Sequence, residues 1–232
     1  MRNHETQPMV MPGGLVFLAA MWLVGSCIVS LGVRVPVHAS SASYEPGVRM
    51  LLICVGVGWV IGWPMFRLSQ SAQRRPLAHT MLDCMVMLAL LQLAIWLPRV
   101  LTTWPVMRMT ALDAMIGGWV ALAGALVASA VGRDAAGPRL FAMAGCLTIA
   151  LGGPFMLFLL SVENGALLWR GPLLGVSALS EGGSAPPTAH QWREIGVIWI
   201  AAIAAWIVVA AWHVFSSVRA AERNTSGLNA QF

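Results

Sequence analysis

An all-α integral membrane protein, a single bundle of about six transmembrane helices, is the fold class this sequence predicts. Three observations predict it. Of 232 residues, 58% are hydrophobic and only 10% are charged, where a soluble domain carries roughly 25% charged residues. The mean hydropathy is +0.76. The apolar residues also fall into blocks rather than stripes. This composition excludes a soluble globular domain, which has no polar surface to coat its core here, and excludes disorder, which needs low hydrophobicity and high charge.

Six blocks follow one another along the chain: Gly13–Val33, Val48–Phe66, Met81–Leu97, Ala111–Val131, Leu140–Leu160 and Ile195–Val218. At 1.5 Å per residue each crosses roughly 30 Å of hydrocarbon. The first is too long for the apolar core of a signal peptide and is preceded by Arg2 alone, so it reads as a span. The third is the shortest, and it spans only if it begins near Met81 and includes Asp83. Three regions result: a short N-terminal segment over 1–12, the six-helix domain over 13–218, and a polar tail over 219–232, expected to be disordered.

All fourteen basic residues are arginine, and the net charge is +5. They lie singly or in pairs at block ends, where guanidinium groups reach lipid phosphates, and they form no basic stripe of the kind nucleic acid requires. With the N-terminus inside, the inner segments hold Arg2, Arg67, Arg74, Arg75, Arg133, Arg139, Arg219 and Arg223, and the outer segments Arg34, Arg49, Arg99, Arg108, Arg170 and Arg193. The bias toward one side places both termini in the cytoplasm of a bacterial cell, with the protein in its inner membrane.

Soluble segments are short. The longest runs from Ser161 to Glu194. Its first half, Leu167–Leu179, is apolar but too short to span, which predicts an interfacial or re-entrant piece; its second half is a Gly- and Pro-rich loop. No Gly-x-Ser-x-Gly, His-Glu-x-x-His or Gly-Lys-Ser/Thr occurs, and no loop is large enough to fold as a catalytic domain, so no enzyme activity is expected.

The candidate chemistry is sparse. Asp83 and Asp113 are acids near a membrane interior, where an ionisable group is a functional candidate as an ion or proton relay. Thr80-x-x-Asp83 and Thr110-x-x-Asp113 also match a helix-start pattern, with the hydroxyl capping and the acid at the positive end of the dipole. The helix-start reading is preferred for both. His38 and His190, with Trp96 and Trp104, would face the outside and could hold a haem, in the layout of haem-handling proteins of cytochrome c maturation; their tight Trp-Gly-x-x-Trp-x-Trp-Asp run is absent here. No cofactor or metal is expected. Cys27, Cys54, Cys84 and Cys146 all lie in apolar blocks and read as packing residues. Three Met-x-Met triplets, at Met9/Met11, Met85/Met87 and Met107/Met109, read as gap fillers, with the last the one candidate for copper. Gly58/Gly62, Gly117/Ala121/Ala125 and Ala201/Ala205 have the spacing that lets helix backbones approach, within one bundle or against a second copy.

The layout resembles that of ABC-2 type permeases: six spans, both ends inside, and the longest outer loop, with a short apolar segment, between spans five and six. The resemblance implies the membrane subunit of an ATP-driven exporter. It places no charge at the midplane and implies a separate cytoplasmic ATPase as partner, besides membrane lipid. With a short N-terminal segment, the ATPase contact would fall to the loop Arg67–His79, through Arg74 and Arg75. A non-transporting anchor, assembly factor or accessory subunit fits the same layout.

Orientation is testable on its own. With single cysteines in a cysteine-free background, Ser184→Cys is expected to label from outside intact cells and Ser226→Cys only after permeabilisation. The opposite pattern inverts every side assignment.

Overall fold

The computed structural model describes residues 13–32, 40–70, 76–131, 135–160 and 167–229. These form eight α-helices: α1 Gly13–Cys27, α2 Ser41–Val57, α3 Trp63–Leu68, α4 Pro76–Trp96, α5 Val106–Val131, α6 Ala136–Leu160, α7 Leu167–Ser180 and α8 Ala189–Asn229. There is no strand among the described residues. Six helical segments are long and apolar enough to cross a membrane, with α2 and α3 joined as one of them. The predicted fold class is therefore observed. Six crossings would put the start of α1 and the end of α8 at one face of the bundle, called the terminal face below; the opposite one is the far face.

The helices start earlier than the apolar blocks do. Span four begins at Val106 rather than Ala111, span three at Pro76 rather than Met81, and the last helix at Ala189 rather than Ile195. First turns carry polar residues, so an apolar count misses them. The working start signals are prolines and caps. Pro76 opens α4, and the Pro105 carbonyl accepts from the Arg108 and Met109 N–H groups to open α5. Thr188 and Gln191 form a reciprocal capping box before α8: the Gln191 N–H donates to the Thr188 hydroxyl, and the Thr188 N–H to the Gln191 side-chain oxygen. At its other end α8 continues to Asn229, where a disordered tail was expected. The 41 residues of α8 make about 60 Å of helix.

α5 is the centre of the bundle. It is the most deeply buried span, packing against α4, α6, α7 and above all α8. α5 and α8 run parallel and in register. Trp199 donates its indole N–H to the Ala114 carbonyl at 2.8 Å, Trp206 to the Ala121 carbonyl at 2.9 Å, and His213 Nε2 lies 3.3 Å from the Ala128 carbonyl. Donors and acceptors both recur every seven residues, the period of a left-handed supercoil. The indoles reach backbone because α5 presents small residues there. A methyl group on Gly118 would lie 2.8 Å from Ile198, and one on Gly117 3.4 Å from Trp199. The expected small-residue face of α5 is thus spent inside the bundle: Gly117 and Ala125 are buried and Ala121 half-buried. Gly58 likewise seats the Trp22 indole of α1, whose N–H donates to the Cys54 carbonyl at 2.9 Å; Gly62 has no neighbour at this range. Ala201 is exposed and Ala205 half-buried.

Leu167–Leu179 is neither a span nor a surface segment. Gly171, at φ 65° and ψ −173°, breaks α7, and a side chain there would also meet the Ile149 carbonyl of α6. The portion after the break packs among α2, α5 and α6, with Val176 and Leu179 fully buried.

Gly124 tests this packing. Its α-carbon faces the Cys84 sulfur, with Trp206 and Trp63 behind it. Gly124→Ala is expected to cost about 1–3 kcal/mol through overpacking, read as a lowered Tm in detergent. Adding Cys84→Ala should recover part of the loss; no recovery means that this contact does not limit the seam.

Candidate functional site

The site begins with a proline. Pro64 has no N–H for the Val60 carbonyl and its ring crowds it. The chain responds with a π-turn over Gly58–Gly62, in which the Trp63 N–H reaches the Gly58 carbonyl. This has a consequence for direction. The buried stripe of α2 runs through Val48, Leu52, Val55 and Trp59, and an unbroken helix would continue it to Gly62 and Phe66. The wider turn moves it by about one residue, and Trp63 and Arg67 are buried instead while Gly62 is exposed.

Arg67 therefore points inward, against Asp83 of α4. Arg67 Nε lies 2.8 Å from Asp83 Oδ2, with the two side chains 2% and 0% exposed. Arg67 Nη1 donates to Gln70 Oε1 at 2.7 Å. Trp63 and His79 border the carboxylate. Next to the pair, Arg139 of α6 donates to the Leu68 carbonyl at 3.4 Å, satisfying the C-terminal end of α3. The pair ties the second span to the third at the terminal face as a buried ionic contact.

Asp83 is thus not a helix-start residue. It is the eighth residue of α4, about 10 Å along the axis from Pro76. The Thr80 hydroxyl turns back to the Pro76 carbonyl and caps nothing. Asp113 is corrected in the same way. It is the eighth residue of α5, and the Thr110 hydroxyl bonds the Val106 carbonyl. Thr-x-x-Asp misled twice because it lies one turn inside a helix already opened by proline. Asp113 accepts from Gln92 Nε2 at 3.0 and 3.1 Å, Gln92 accepts from the Trp96 indole at 2.9 Å, and the Arg99 guanidinium stands 5.9 Å above the Trp96 ring. This relay of contacts lies toward the far face.

The remaining candidates separate. His190 is 73% exposed, and its Nδ1 lies 3.5 Å from Glu194 one turn on. Trp96 is committed to Gln92, and Trp104 is buried. His38, Arg74 and Arg75 lie outside the described residues, as do Met9 and Met11. Met107 and Met109 belong to the first turn of α5 rather than an outer loop; Met107 is exposed and Met109 buried. Among the described residues no three of His, Cys, Asp and Glu gather as a metal site. The four cysteines are free thiols, Cys84 and Cys146 buried. Arg67 was expected in a docking loop; its burial removes it from that role.

Arg108, which the sequence places in an outer segment, is instead an anchor between helices. It is buried in the first turns of α5, its guanidinium donating to the Leu179 and Ala185 carbonyls. A cation there satisfies the C-terminal carbonyls of α7 and complements its dipole. Gly182 abuts the guanidinium, leaving no room for a side chain. The available signal was a lone arginine two residues after Pro105-Val106, inside a helix rather than before one.

Removing one partner from a buried ion pair strands the other charge. Asp83→Asn is expected to destabilise the protein by about 3–5 kcal/mol, and the apolar double variant Arg67→Met/Asp83→Leu to recover most of this. Thermal unfolding in detergent measures both. A single variant as stable as wild type would remove the pair from the account of the fold.

Comparison of the chain with protein-family models, curated proteins and solved structures finds no match.

Proposed function

We propose that the chain is the membrane-embedded, permease-like subunit of an ATP-driven transporter, working with a separate cytoplasmic ATPase in a bacterial inner membrane. The observation that carries this reading is α7. Irregular backbone at membrane depth is tolerated only where protein encloses it, and broken helices of this kind line substrate paths in transporters. Here the break at Gly171 puts an apolar half-helix inside the bundle, between the fifth and sixth spans. That is where the ABC-2 type layout carries its short apolar segment.

Energy then enters at the terminal face. With Arg67 enclosed and Gln70 engaged by it, the loop between α3 and α4 has less to offer a partner than its sequence suggested. α8 has more. Beyond the span Ala189–Ser216 it continues as helix to Asn229, about 20 Å further. This extension, together with Arg74 and Arg75, is the proposed ATPase contact.

One observation favours the second reading, a non-transporting anchor or accessory subunit: α5 and α8 are pinned at three successive rungs, which suits a rigid scaffold. Affinity purification of the full chain from its native membrane separates the two. An ATPase subunit should co-purify with wild type and fall at least about tenfold when the chain stops after Ser216. Retention in full by the truncated chain rejects the α8 contact. Absence of any ATPase from wild type rejects the exporter reading in favour of the scaffold.

A further inference from the structure

At the far face, α1 and α2 flank a half-open cavity of about 430 Å³, within the range of small-molecule sites. Its walls are the π-turn Ile28–Gly32 that ends the first span and the first turns of the second. Two features make it more than a gap between helices. The wider turn at Ile28–Gly32 opens α1 where it lines the cavity, and π-turns inside helices are frequent at functional positions. Gly47 closes the base: a side chain there would lie 2.7 Å from the Ser30 carbonyl oxygen, so the two backbones touch.

The lining is chemically narrow. Val29, Leu31, Pro46 and Met50 supply an apolar wall, and none of the described lining residues is charged. The Ser30 hydroxyl is buried and has no hydrogen-bond partner among the described residues. Tyr44, the one tyrosine in the chain, lines the cavity and makes no hydrogen bond to the described residues. A buried hydroxyl without an acceptor is costly, and a ligand that brings an acceptor removes that cost. The site thus asks for an uncharged oxygen acceptor on an apolar body. Its depth narrows the source, because the last turn of one span and the first of the next lie at the membrane boundary. Glycerol ester carbonyls lie there, below the charged headgroups.

We propose that this cavity binds a membrane glycerolipid, with an ester carbonyl accepting from the Ser30 and Tyr44 hydroxyls and the acyl chain resting on Val29, Leu31, Pro46 and Met50. The lipid would fix α1 to α2 at the far face.

The test uses the full chain in nanodiscs containing an ester-linked phosphatidylethanolamine with a diazirine in one acyl chain. After irradiation, crosslinks are mapped by peptide mass spectrometry. They are expected to concentrate between Ile28 and Met50, and to fall about tenfold in Ser30→Ala/Tyr44→Phe, which removes only two hydroxyls. Unlabelled ester lipid should compete about tenfold better than its ether-linked analogue. Helicity and gel filtration check that the double variant is folded; if it is not, Ser30→Ala alone decides, with an expected loss of about threefold. Equal labelling of variant and wild type, equal competition by the ether lipid, or labels spread over the exposed faces of α6 and α8 would each overturn the proposal.

Discussion

The residues of α5 that face α8 must be small, and the arrangement of the bundle follows from that constraint. In hydrocarbon no hydrophobic force pulls one helix onto another, so association rests on close packing and on hydrogen bonds that have no better partner. Gly117, Gly118, Ala121 and Ala125 bring the α8 indoles within reach of α5 carbonyls. Once α8 occupies that side, α4, α6 and α7 share the remaining surface of α5, and α1 is left at the edge with little of its span buried.

Polar side chains then work in two ways. Some hold helices together through backbone oxygen, as Arg108 does at the end of α7 and Arg139 at the end of α3. These need no opposite charge, because the C-terminal turn of a helix already presents unpaired carbonyls. Arg67 instead meets a carboxylate, and enclosure makes that pair all-or-none: satisfied together or costly apart. The proline-driven turn that brings Arg67 inward is therefore as much a part of the site as the two charges.

Much of this was legible in the sequence, and the misses have physical causes. Block length and charge depletion identified six spans, because hydrocarbon thickness constrains every one. The acids were visible but their setting was not. Asp83 and Asp113 were read against the threonines before them, whereas Pro76 and Pro105 had already opened each helix. Arg67 was placed in a loop because its burial depends on a shift of helix phase caused three residues earlier by Pro64. The seam has a sequence signature: Trp192, Trp199, Trp206 and His213 recur at seven, a period hidden inside an apolar block whose length alone already accounts for a span. The break in α7 was readable from Gly171-Pro172, but its enclosure by three other helices was not, since no local signal reports what surrounds a segment.

The seven-residue repeat between α5 and α8 also acts as a mechanical stop. Sliding one helix along the other by a single turn would take every donor off its carbonyl together. All three contacts would have to be lost together before any could form again with another carbonyl, so α5 and α8 resist sliding as one unit.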